Sequence, residues 1–249
     1  MAEKMRDTTN NLPPKTVWVS AEKHIRGVND PRIERLWLLA KEITKYLEGD
    51  DTSKDEADFF ADRLLDKLES ALMYYQLITT SDFNDRNISQ KRTLYEGLYA
   101  SLWGFYKGRM QNYLKEAGWN LEIFFCKEKN FEKLAGKFIQ QNPDHKGLVD
   151  LARKQRSAWQ TDFGRSRDTS EHSGDYRTGI DVYENEDDAK RFFAQVCWTA
   201  ETLIAYCGSY RMKREWNVTE LNPGSTIFDA DDRYRVEHAM QTIQRDQNK

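Results

Sequence analysis

Between Phe193 and Cys207 the apolar residues recur at helical spacing: Phe193, Val196, Cys197, Ala200, Leu203, Ile204 and Cys207. Strand side chains alternate with a period of two, whereas these fall on one side of a helix of 3.6 residues per turn. Such a helix has to bury its stripe against partners, and the rest of the chain supplies them. Asp30 reads as an N-cap with Pro31 at the first helical position, followed by Ile33, Leu36, Trp37, Ala40, Ile43 and Leu47 up to Gly49. Ser53 and Glu56 form a capping-box pattern opening a second helix. Its inward face comprises Ala57, Phe60, Ala61, Leu64, Leu65, Leu68, Leu72 and Tyr75. A third, long helix runs from about Ser89 to Glu116 on Leu94, Leu98, Leu102, Phe105 and Tyr106. Gly104 and Gly108 give it room for a close neighbour, and Gly118 ends it. Two shorter helical patterns follow, over about 121–140 and 146–163, and then Asn185 with Asp188 caps the helix from Glu186 to Arg211.

These patterns predict an all-α helical bundle. Residues 1–28 read as an N-terminal arm, 29–216 as a single helical domain and 217–249 as a C-terminal helical tail. Only 13 glycines and 5 prolines in 249 residues suit a helical chain, and an apolar fraction of 39% suffices for a core. No apolar run approaches membrane-spanning length, and the polar stretch from Met1 to Lys15 has no secretory pattern. Cys126, Cys197 and Cys207 form no disulfide-type or metal-type cluster, so a reduced, cytoplasmic setting is expected. A net charge of -3 excludes a dedicated nucleic-acid coat protein, which would be strongly basic, but leaves local, brief binding of RNA open.

Chemistry concentrates in one polar stretch, Arg167-Asp168-Thr169-Ser170-Glu171-His172, expected to lie in a loop over about 164–185. A guanidinium offers a fixed positive fork for a phosphate, and an imidazole carries a proton near neutral pH. Those are two requirements of phosphodiester cleavage. An arginine five residues before a histidine also occurs at Arg233 and His238, but there within an acidic helical pattern and with a bulky tyrosine after the arginine. Residues 150–177 carry six Lys and Arg against five Asp and Glu, a slight positive excess in an acidic chain. Lys107 and Arg109, with Tyr106 and Tyr113, form a second candidate, a basic-aromatic surface on the third helix, although the same residues suit charges lying beside core aromatics. The seven tryptophans mostly fall in helical stripes and read as core or interface. His24 and His145 stand apart from other ligand types, so no metal site is expected. No glycine-rich phosphate loop, nucleophile elbow or zinc-helix motif is present, and no cofactor is expected.

The motif and its place ahead of the Glu186–Arg211 helix resemble the HEPN superfamily (higher eukaryotes and prokaryotes nucleotide-binding domains), over about residues 89–212. Members are helical bundles with an Arg, usually followed by Asn, Asp or His, and then a His just ahead of the last core helix. Arg167, Asp168 and His172 match that pattern, while the long polar insert between His172 and Asn185 departs from many members. The resemblance implies a metal-independent endoribonuclease that acts on RNA as a homodimer, in a toxin–antitoxin or antiviral defence setting, with an antitoxin or other protein partner. It assigns His172 to proton transfer at a ribose 2′-hydroxyl or the leaving 5′-oxygen, Arg167 to the scissile phosphate and Asp168 to orienting a motif side chain. Arg165 would add a phosphate contact, and Glu171 would raise the pKa of His172 or face water. Two further readings stand beside it: a non-catalytic HEPN-like helical scaffold, and a nucleotide-binding regulatory domain.

Overall fold

The computed structural model describes residues 30–48, 54–80, 82–172 and 185–212, and among them no strand occurs. Helix α1 spans Pro31–Glu48 and α2 spans Lys54–Ile78. Helix α3 runs through Ile88–Trp103, a π segment Gly104–Met110 and Gln111–Glu116 as one rod. The four-residue α4 (Glu122–Phe125) and α5 (Phe131–Gln141) follow. Helix α6 runs through Lys146–Gln155, a π segment Arg156–Gln160 and Thr161–His172, and α7 spans Glu186–Met212.

Local chemistry sets the ends. The Asp30 carboxylate accepts the Arg32 N–H at 2.9 Å, capping α1 ahead of Pro31. Asn87, not Ser89, opens α3: its side chain accepts the Gln90 N–H at 3.0 Å, and the Gln90 side chain accepts the Asn87 N–H at 3.1 Å. Gly118 takes φ 89°, the left-handed geometry that lets the chain leave α3. Asn185 accepts the Asp187 N–H at 2.9 Å and caps α7. Ser53, the arm and the tail lie outside the described residues.

Helix α7 is the axis of the bundle, packed by α1, α2 and α3. Its apolar stripe marks only the most hydrophobic side, because every residue from Ala200 to Gly208 is buried, including Glu201 and Thr202. A helix enclosed all round must satisfy its polar groups internally. Glu201 does so by accepting from the Arg35 Nε of α1 at 2.9 Å.

The two π segments face each other. Tyr106 packs against Trp159 with ring centroids 5.4 Å apart. The Tyr106 hydroxyl donates to the Phe124 carbonyl at 3.0 Å and accepts from the Gln160 amide at 2.6 Å. Each inserted residue thus aims a polar side chain across the α3–α6 interface that regular α-helical spacing would turn elsewhere.

Three expectations are corrected. Residues 164–172 are the last turns of α6 and not a loop, since Trp159 and Phe163, both fully buried, anchor the helix that these polar residues continue. Phe60 is 36% exposed despite its place in the α2 stripe. The close approach to α3 is at Gly97, not at Gly104 or Gly108. A Cβ on Gly97 would lie 2.5 Å from the Tyr74 ring, whereas one on Gly104 meets nothing closer than Lys67 at 3.7 Å and one on Gly108 meets nothing within 4 Å.

Candidate functional site

Arg167 leaves the outer half of α6 and lies across Trp103 of α3, its guanidinium carbon 4.6 Å from the indole centroid. The arginine side chain retains 19% exposure and is ion-paired with its neighbour Asp168. Trp103 is fixed from beneath by Phe163, centroids 5.8 Å apart, which in turn touches Tyr99, Trp159 and Phe192. This aromatic cluster ties α6 to α3 and α7 and sets where Arg167 stands.

A second cation shares the same ring. The Lys107 Nζ, one turn beyond Trp103, lies 5.1 Å from the indole centroid. The negative face of an indole ring attracts both cations and offsets their mutual repulsion. On the adjoining helix the exposed Lys67 lays its stem along Gly104, its Cγ 3.7 Å from where a Cβ would stand. Two basic residues, from α3 and α6, therefore share one tryptophan, and Lys67 of α2 lies beside the next residue, Gly104.

Of the expected site residues, Arg167 and Asp168 are brought together. Arg165 is apart, its side chain 71% exposed and 4.0 Å from Asp162. Glu171 and His172 belong to the final turn of α6, and their side chains lie outside the described residues. Five residues on an α-helix separate positions 167 and 172 by about 7.5 Å along the axis and about 140° around it.

The basic-aromatic surface expected on α3 does not form as a unit. Tyr106 is buried between the π segments, and Tyr113 donates its hydroxyl to the Ala40 carbonyl at 3.0 Å. Burial raises the pKa of both phenols far above the ordinary tyrosine range. Arg109 is held bidentately by Asp66, at 3.0 and 2.6 Å. Lys107 turns toward the motif arginine, through a tryptophan that the sequence reads as core or interface. The i, i+4 spacing of Trp103 and Lys107 was a legible signal for that contact.

Beyond Arg109 the α2–α3 seam opens into a cleft of ≈ 70 Å³ lined by Phe60, Arg63, Arg109, Asn112 and Glu116, among others. Elsewhere, His145 is buried, its Nδ1 2.6 Å from the Tyr206 hydroxyl, and burial lowers its pKa. It is a packed histidine below Trp119, not an open acid or base. Among the described residues no group of three or more His, Cys, Asp or Glu can hold a metal ion, and no helix is long and apolar enough to cross a membrane. No protein-family model, curated protein or solved structure matches the chain.

Proposed function

We propose that the chain is a metal-independent endoribonuclease of HEPN type, with Arg167 on the scissile phosphate and His172 as proton carrier. The observation that carries this reading is the pairing of Arg167 and Lys107 over Trp103 at the outer end of α6. Two cations concentrated on one ring present a phosphate with charge and a fixed guanidinium fork, in a chain whose overall charge is negative. The Asp168 carboxylate accepts from one nitrogen of that fork, Nη2. A homodimer, with two motifs meeting across an interface, rests on the resemblance alone; within one α6, positions 167 and 172 stand on different sides of the helix. A toxin–antitoxin or antiviral setting, with an antitoxin as partner, follows from the resemblance alone.

The second reading is a non-catalytic HEPN-like scaffold, favoured by the engagement of Arg167 with Asp168 and Trp103 within one subunit. Incubating purified protein with total RNA in EDTA separates the two. The nuclease reading expects cleavage that survives the chelator and falls by at least about 100-fold in His172→Ala, the contribution of a positioned acid–base group. Intact RNA with the wild type, or equal degradation by both forms, overturns it.

A further inference from the structure

We infer that the cleft between α2 and α3 binds a single phosphoryl group, carried by a small phosphate monoester or by the end of an RNA strand. The site stands apart from the nuclease reading, because none of Arg167, Asp168 or His172 lines it. Register builds it. The two helices run antiparallel, with Tyr74 at Gly97, Lys67 at Gly104 and Asp66 paired with Arg109. Three residues back along α2, Arg63 therefore comes opposite Asn112, three residues on along α3. Arg109, Asn112 and Glu116 are three and four residues apart and share one face of α3. Arg109 thus stands at one end of the cleft and Glu116 at the other, about 10 Å away along the helix. Between them lie Leu64 and the Tyr113 ring, whose hydroxyl is already engaged with the Ala40 carbonyl.

The donors in this cleft exceed what the protein itself uses. Asp66 takes Nε and Nη2 of Arg109 at 3.0 and 2.6 Å, which leaves the two N–H groups of Nη1. Arg63 is exposed and has no carboxylate within ion-pair distance among the described residues. Asn112 adds an exposed amide. Two guanidiniums and an amide, from both helices, meet the oxygens of a tetrahedral anion from more than one side, whereas a planar carboxylate presents only two acceptors. Size narrows the ligand further. Pockets that enclose a whole drug-sized ligand start at about 300 Å³, so a cleft of ≈ 70 Å³ takes one compact head group and leaves the remainder outside. Glu116 closes α3, where the helix dipole disfavours a carboxylate. An ammonium or hydroxyl on the ligand, just beyond its phosphate, offsets that charge.

The test is isothermal titration calorimetry of the full chain with inorganic phosphate and with O-phosphoethanolamine. Both are expected to bind, the amine about 3-fold to 10-fold tighter because its ammonium meets Glu116. Arg63→Gln should weaken both at least about tenfold, the loss of one charged hydrogen-bond donor. Lys67→Gln makes the same change of charge one turn along α2, outside the cleft, and should weaken them less than about 3-fold. Glu116→Gln should abolish the preference for the amine and leave inorganic phosphate bound at least as tightly. All three side chains are exposed, so the variants keep the fold. No saturable binding of either probe, equal weakening by Arg63→Gln and Lys67→Gln, or a preference that is absent or survives Glu116→Gln overturns the site. The source of the phosphate is read by anisotropy with 3′-labelled hexauridylate and the full chain carrying His172→Ala. A 5′-phosphate that tightens binding at least about tenfold over a 5′-hydroxyl, and only while Arg63 is present, assigns the site to RNA ends. Equal binding of the two forms assigns it to small monoesters.

Discussion

Arg35 and Arg167 each face a carboxylate and stand on neighbouring parts of one bundle, but their surroundings differ. Arg35 and Glu201 join α1 to the axial helix α7 with both side chains only 1% exposed. Arg167 meets Asp168 and Trp103 at the rim, its side chain 19% exposed and its partner carboxylate 60% exposed. In the first place water is excluded, so the charges must be met by protein partners, of which this pair is one. In the second, solvent screens the ion pair, and an aromatic face shares in holding the guanidinium. Arg156 falls between them at 9% exposure, its Nη2 donating to the carbonyls of Ile123 and Cys126 at 3.1 and 2.7 Å. Depth changes what holds the same side chain, from an enclosed ion pair to a screened one resting on a ring.

The sharpest way to break that contrast is at the axis. Glu201→Gln keeps the shape but removes the carboxylate charge that the buried Arg35 Nε meets at 2.9 Å, and unfolding free energy should fall by about 3–5 kcal/mol in urea titrations. Arg35→Met combined with Glu201→Leu should recover most of the loss, because two apolar groups need no partner. A single-variant loss under about 1 kcal/mol would mean that the enclosed pair is no more demanding than an exposed one. At intermediate depth, Arg156→Met retains contact with Phe131, whose ring the guanidinium covers at 4.6 Å, but deprives two carbonyls of their donor. A loss of roughly 2–3 kcal/mol is expected, with an unchanged m-value.

The same contrast explains what could be read from the sequence. Helix α7 was legible to within a residue because fifteen positions repeat one period and Asn185 marks the start. Its complete burial was not, since Glu201 and Thr202 look like surface residues until Arg35, 166 residues away, is seen beside them. The end of α6 was misread as loop because Arg165, Asp168, Ser170 and Glu171 carry no apolar signal, while Phe163 and Trp159 hold the helix from its inner side. At the site, Arg167 and Asp168 were legible as an adjacent pair. Trp103, like the other tryptophans, read as core or interface, and nothing local relates residue 103 to residue 167. Phe60 shows the converse: periodicity assigned it inward, and only the packing of α2 on α3 leaves it at the mouth of a cleft.

The smallest expected effect on stability belongs to the rim, and it is also the most discriminating. Arg167→Lys keeps a positive charge over Trp103 and removes the planar fork. Because the ion pair is solvent-screened and the cation–π contact survives, unfolding free energy should change by about 1 kcal/mol or less. If the guanidinium grips a phosphate through two parallel N–H groups, RNA cleavage in EDTA should nevertheless fall by about 10-fold to 100-fold, since a lysine offers a point charge without that geometry. Stability and cleavage would then be uncoupled at Arg167, whereas at Arg35 they would fall together. A loss of several kcal/mol in Arg167→Lys with proportionate loss of cleavage would instead make the rim arginine a structural tie like its buried counterpart, and the difference between the two regions would disappear.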